Sequence, residues 1–282
     1  MPNRISLVFR NSDVAPGPRR TGSTAFNTAP AGKLDLNEFP QAREEQARRA
    51  GLWRMRPPAA NVLEVGARDS YITRLLSDSF EQVVSLDLEL MEPVASNVIC
   101  VAGDVRSLYL GSNEFEVVLC SEVLEHIPEN DLELACRELA RVARRFVLIG
   151  VPFEQDLRVA RTRCARCGTI NPPYGHINRF TRVRLDSLFP EMRAVAEEKI
   201  GLTRERTNAL SATLMDLAGH PWGTYDQDDP CVACGAAVGP PPPYSLSSRA
   251  LAALASRIDS TARALFRPHP KWLHVLYEKI AS

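Results

Sequence analysis

Four of the seven cysteines fall in two matching turns, CARCG at 164–168 and CVACG at 231–235. Two C-x-x-C-G turns can bring the thiolates of Cys164, Cys167, Cys231 and Cys234 to one tetrahedral ion. The glycine after each pair lets backbone N–H groups turn toward the sulfurs. The pattern reads as a split zinc ribbon holding structural Zn2+. Redox thiols and disulfides are the competing uses, and the lack of an export signal argues against disulfides. Closed four-cysteine coordination leaves no position for a substrate, so such an ion fastens the chain rather than reacting.

A second group has the spacing of a nucleotide site. Gly66 ends a short apolar run, and Asp87 follows about twenty residues later, where βαβ nucleotide-binding units place an acid that accepts both ribose hydroxyls. Only one glycine stands in this turn, so the GxGxxG of a nicotinamide site is absent. Two histidines have contexts suited to chemistry. His126 closes an apolar segment carrying Glu122 and Glu125, and His176 lies in NPPYGHINRFT at 171–181. Each could act as a general base. The alternatives are that His126 caps the next helix, and that His176 orients substrate or bonds the metal knuckle. Tyr174 and Arg179 are further candidates for substrate contact.

The elements that must hold these groups follow from hydrophobic periodicity. Val62, Leu63 and Val65 predict a buried strand, Asp69 or Ser70 can cap a helix burying Ile72, Leu75 and Leu76, and 82–87 reads as the next strand. Further strands are expected at 97–101, 115–120 and 145–151, each short and apolar as in a parallel sheet covered on both faces, with a possible sixth at 193–200. Leu132, Ala135, Leu139 and Val142 share one face of a helix. Cys100, Cys120 and Cys136 sit in apolar contexts and read as small core residues. The chain divides into a mobile polar arm over 1–36, a core over 37–200, an inserted helical segment over 201–268 sharing its metal site with 164–167, and a closing strand over 269–282. In the inserted segment, Leu251, Leu254, Ile258 and Leu265 form an apolar stripe with several arginines nearby. This permits peripheral membrane contact as well as packing on the domain itself.

The series NVLEVGARDS, VVSLDLE, VAGDV and FEVVLCSEVLEHIP resembles the class I S-adenosylmethionine-dependent methyltransferases, in the branch called type 11. The resemblance covers roughly residues 58–200 and is most specific in the last segment. It implies an α/β fold, a Rossmann-like seven-stranded methyltransferase sheet with an inserted zinc-binding region, whose last strand runs antiparallel. It implies S-adenosylmethionine as cofactor, with Glu64 on its methionine or ribose side, Gly66 and Ala67 letting backbone approach, and Asp87 on the ribose. Asp104 would take the adenine amino group, Val105 the ring, and Ser121 completes the set. Where the family continues Glu-x-Gly-x-Gly-x-Gly, Arg68 and Ser70 stand at the later glycine positions. Arg68 could narrow the cleft, point outward or meet the cofactor's carboxylate. A non-catalytic binding module with a degenerate site is the alternative reading.

Composition narrows the class of partner. The 282 residues carry 34 basic and 34 acidic side chains, so no global field attracts nucleic acid. The NPPY at 171–174 also stands after the fifth strand, not after the fourth where amino-methylating nucleic-acid enzymes place theirs. No apolar run is long enough to span a bilayer and no signal-peptide core is evident, so the expectation is a cytoplasmic enzyme. Its acceptor would be a small molecule, a sugar or a lipid-linked glycan.

Overall fold

In the computed structural model, the residues described are 40–68, 70–227, 229–239, 244–265 and 267–280. The expected arm over 1–36 and the capping role of Asp69 lie outside them. Five strands of one sheet come first: β1 (Asn61–Val65), β2 (Gln82–Asp87), β3 (Val98–Ala102), β4 (Phe115–Ser121) and β5 (Ala143–Pro152). A two-residue pair follows, β6 (Thr162–Arg163) with β7 (Ile170–Asn171), and then β8 (Met192–Ile200) and β9 (Trp272–Lys279). The large sheet has seven strands in the order β3-β2-β1-β4-β5-β9-β8. Its first five are parallel, while β9 is antiparallel to both β5 and β8. This is the Rossmann-like methyltransferase sheet, with the final strand wedged between the fifth and the sixth of the large sheet.

The central strands β1, β2, β4 and most of β5 are buried on both faces, which is why they read as apolar runs, whereas the edge strand β8 is largely exposed. Val62, Leu63 and Val65 of β1 and Val117, Val118 and Leu119 of β4 are all at most 3% exposed. Helix α1 (Pro40–Met55) precedes β1 and buries Leu52. Helix α2 (Tyr71–Ser77) connects β1 to β2. Helix α3 (Glu129–Val142) connects β4 to β5 and buries Leu132, Ala135, Leu139 and Val142 as the periodicity predicts, with Cys136 beside them. Cys120 is also buried, whereas Cys100 is half-exposed.

Two local expectations fail. Ser70 does precede α2, but its φ is 54° and its side chain makes no capping hydrogen bond. The helix buries Thr73 and Leu76, leaving Ile72 and Leu75 half-buried, because Thr73 is turned inward to a carboxylate. The second failure concerns the inserted segment. After α4 (Arg182–Ser187) and α5 (Ala209–Ala218), helix α6 (Leu246–Leu265) buries the small side chains Ala252 and Ala255 together with Asp259. Leu254 of the expected stripe is 50% exposed, and Leu251 and Ile258 are half-buried. Asp259 turns this face inward because its carboxylate accepts from the Thr207 hydroxyl at 2.9 Å.

Candidate functional site

A row of turns follows the carboxyl ends of the parallel strands, and backbone bonds hold it in register. Gly66 N–H donates to Leu86 O, Gly103 N–H to Asp87 O and Glu122 N–H to Gly150 O, at 2.8 to 3.0 Å. The strand order reverses between β1 and β4, and open α/β sheets bind ligands in the crevice at such a point. Here the two turns touch. Gly66 has φ +86°, and a Cβ placed on it would lie 2.3 Å from Val123 Cγ2. Only glycine satisfies both the left-handed conformation and the close approach.

Around this crevice, Glu64 is buried and accepts from the Thr73 hydroxyl at 2.6 Å. Ala67 is also buried. Asp87 ends β2 with its Oδ2 accepting from Arg68 N–H at 2.9 Å and its Oδ1 from Leu88 N–H at 2.7 Å. Each carboxylate oxygen keeps a lone pair for a further donor. The Arg68 side chain is exposed.

Asp104 is already engaged. Arg106 approaches it through Nε and Nη2 at 2.6 to 3.0 Å and through its backbone N–H at 2.9 Å. These bonds hold the Asp104 carboxyl below its ordinary value. Arg106 also bonds Asp131 at 2.8 Å. Val105 is buried in the core beneath. Ser121, ending β4, accepts from Arg48 Nη1 at 2.8 Å, and Arg48 is in turn gripped by Glu45 through two bonds. Thus α1 leans over the end of β4.

The segment after β4 is strained, as are the turns at Ser70 and Tyr174. Glu122 adopts φ 56°, a left-handed conformation that costs a non-glycine residue about 1 kcal/mol or more. Burial pushes its carboxyl up to about 7 against the opposing field of Arg48, and one oxygen accepts from Trp272 Nε1 at 3.3 Å. Glu125 is fully buried, and neither carboxylate oxygen has a partner. Burial, and after it the charge of Glu122, raises its carboxyl well above the ordinary range.

The 171–181 loop docks on this segment. Ile177 N–H and Asn178 N–H donate to Glu125 O at 2.8 and 3.1 Å, and Asn178 Nδ2 bonds Leu124 O and Ile127 O. His176 is thereby brought edge-on to His126, with ring centroids 4.8 Å apart. Burial holds the His176 imidazole down to about 3, with His126 adding to the effect. His126 is also lowered by burial, while Asp229, 3.7 Å from its Nδ1, pulls the other way. His176 Nδ1 lies 2.7 Å from Gln155 Oε1. On its other side His176 borders an open recess of about 320 Å³ shared with Leu157, Arg161, Ile170, Pro172 and Ile177.

The four expected cysteines converge. Cys164 Sγ lies 3.7 Å from Cys234 Sγ, and Cys167 Sγ 3.6 Å from Cys231 Sγ, with all four sulfurs within 4.8 Å of one another. Thiolates about 2.3 Å from a tetrahedral ion stand about 3.8 Å apart, so the donor set and its spacing fit zinc. A disulfide would need a separation near ~2 Å. The two glycines take φ +74° and +65°, and each donates its N–H back to the first cysteine carbonyl of its turn at 2.9 Å. Asn171 joins the halves by accepting from Val232 N–H at 3.0 Å. Just before the second turn, Gln227 accepts from Tyr174 N–H at 2.6 Å, and Asp229 packs on Gly175. The knot and the His176 loop are therefore in contact.

Several of these partners escape sequence reasoning. Glu122 and Glu125, three apart and followed by His126, carried a signal in their spacing. Arg48, Arg106, Gln155 and Asp229 carried none, since each acts through a fold-made contact.

Comparison with known proteins agrees with the fold. The family model described as a methyltransferase domain matches residues 63–147. Among solved structures, the YcgJ protein of Bacillus subtilis is 13% identical, covering 84% of this chain and 100% of that one, with a TM-score of 0.50. A protein assigned as a methyltransferase in Bacillus halodurans C-125 is likewise 13% identical over 83% of this chain and 99% of its own, also at 0.50. No curated protein matches the chain in sequence. With the strand order, these findings show that the chain has the fold of the class I methyltransferases.

Proposed function

We propose that this chain is an S-adenosylmethionine-dependent methyltransferase acting by in-line displacement on a small-molecule, sugar or lipid-linked acceptor. The observation that carries the reading is the left-handed turn at Gly66 at the β1/β4 crossing, tied by Arg68 N–H to Asp87 at the neighbouring strand end. The turn admits backbone close to a ligand, and the acid stands ready for vicinal hydroxyls. When bound, the cofactor supplies an electrophilic methyl group on its sulfonium.

The chain's own contribution is alignment. Asp87 and the Gly66–Ala67 backbone fix the nucleoside, and Glu64, held by Thr73, supports the turn from beneath. Holding two reactants in register supplies much of the acceleration in such reactions. The recess beside His176 has the volume of a small organic ligand, and Arg161 on its wall is paired with Asp216 at 3.5 Å. His126 or His176 would take the acceptor proton where it must leave early. Zinc in the four-cysteine knot would hold 201–268 as an insertion on a core over 37–200. No helix among the described residues is long and apolar enough to cross a membrane. The exposed Leu254 leaves peripheral contact with a lipid-borne acceptor within this reading.

One observation favours a second reading, a non-catalytic zinc-stabilised module. Asp104, the acid suited to the adenine amino group, is saturated by Arg106. Calorimetric titration with S-adenosylmethionine and S-adenosylhomocysteine decides between them. Micromolar binding is expected, and Asp87→Ala should weaken it at least about 100-fold, the loss of two charge-assisted bonds, while the fold is retained at a Tm lowered by the loss of the bonds to Arg68 and Leu88 N–H. Folded, zinc-replete protein that binds neither ligand leaves only the second reading.

A further inference from the structure

Glu125, His126 and His176 form a group that methyl transfer does not by itself require. One ligand atom from each lies within 4.8 Å of the others. Glu125 is fully buried with both oxygens unpartnered, an arrangement that proteins avoid unless something completes it. One imidazole is also prepared. His176 presents Nδ1 to the side-chain oxygen of Gln155 at 2.7 Å, so Nδ1 carries the proton and Nε2 keeps its lone pair. His126 Nδ1 stands 3.7 Å from Asp229, beyond hydrogen-bond reach but within the field of its carboxylate. Metal-ligating histidines commonly give their second nitrogen to such an oxygen.

Charge points in the same direction. Arg48 is the cation facing both Glu122 and Glu125 here, and it already bonds Glu45 and Ser121. Lys271 also faces Glu122, which bonds Trp272, so Glu125 is the carboxyl left without a bonded partner, and a dication would complete it.

We infer that Glu125, His126 and His176 are a divalent-metal site, distinct from the four-cysteine knot. One oxygen and two imidazole nitrogens suit manganese, iron or cobalt, and also zinc, better than magnesium or calcium. An ion about 2.1 Å from each donor would draw the three to roughly 3 to 3.5 Å apart, closer than the 4.8 Å span found here. Three protein ligands leave coordination positions open, and His176 borders the recess. An acceptor hydroxyl bound to the ion would give up its proton to solvent more readily, with the two histidines then serving as ligands rather than as bases, so the site favours an oxygen acceptor. That last step rests on the methyltransferase reading, whereas metal binding does not.

The test uses the full chain with its cysteine knot zinc-loaded, titrated with Mn2+ alone and followed by the electron-spin resonance of the free ion. One manganese bound per chain is expected, with affinity lowered at least 100-fold in His176→Ala and in Glu125→Gln. Should His176→Ala fail to fold, Gln155→Ala carries the same test with an expected tenfold loss. No stoichiometric binding by the unaltered protein, or equal binding by Glu125→Gln, overturns the site. S-adenosylmethionine affinity measured on the same samples reports separately on the methyltransferase reading. A manganese site without cofactor binding would sink that reading and leave the metal site standing.

Discussion

The four-cysteine knot and the Glu125–His126–His176 group are both built from metal-binding side chains, yet they solve opposite problems. The knot sits in a region with little core of its own, where the buried cysteines pack with Val238 and the partly buried Tyr225. Its four sulfurs face one another and its glycines close the turns, so nothing is left open. The carboxylate–imidazole group lies against the main core beside a recess, and its acid is left without partners. A site that completes itself holds chain together. One that is held rigid but incomplete is available to a ligand, and its cost is carried by the surrounding sheet.

This contrast can be broken first at the knot. Cys164→Ser with Cys231→Ser should release the 153–245 region. Structural zinc contributes binding free energy of about 10 to 16 kcal/mol in small peptides, so a Tm fall on the order of 10 °C is expected, with proteolysis confined to that region. Unchanged Tm and unchanged cleavage would remove the fastening role. At the other group the sign should reverse. Glu125→Gln keeps the shape and deletes an unpartnered buried acid, so metal-free protein should gain about 1 kcal/mol, seen as a Tm rise of a few degrees. A fall of similar size would mean that the carboxylate has a stabilising partner.

The smallest effect tests the link between the regions. Gln227→Ala removes the bond to Tyr174 N–H and should cost about 1 kcal/mol. Hydrogen exchange should rise in 171–178 and stay constant in β1 and β4. Equal exchange throughout would show that the knot and the histidine loop are mechanically independent.

Much of the sheet was legible because a parallel strand buried on both faces writes itself as a local apolar run. The strands at 82–87 and 115–121, and the antiparallel placement of 272–279, needed little beyond that and the family pattern. The cysteine turns and the Gly66–Asp87 pair were legible for the same reason, since each motif is contained in a few residues. What escaped was made by contact across distance: Arg48 on Ser121 is 73 residues apart, Gln155 on His176 is 21. Periodicity also misled at α6, where a buried aspartate bonded to Thr207 turned the alanine face inward and left Leu254 outside. Hydrophobicity alone could not anticipate that a carboxylate would choose the face.

The place of β9 has a consequence for how the chain is made. β5 and β8 each wait for the same late strand, Trp272–Lys279, which pairs with both. Until the ribosome releases that segment, a nascent chain holds the edge of β5 unpaired and β8 has no neighbour at all in the sheet. Unpaired strand edges invite association with other chains. Assembly of this sheet therefore waits on the synthesis of Trp272–Lys279, and until then the two strands that it joins cannot be brought together.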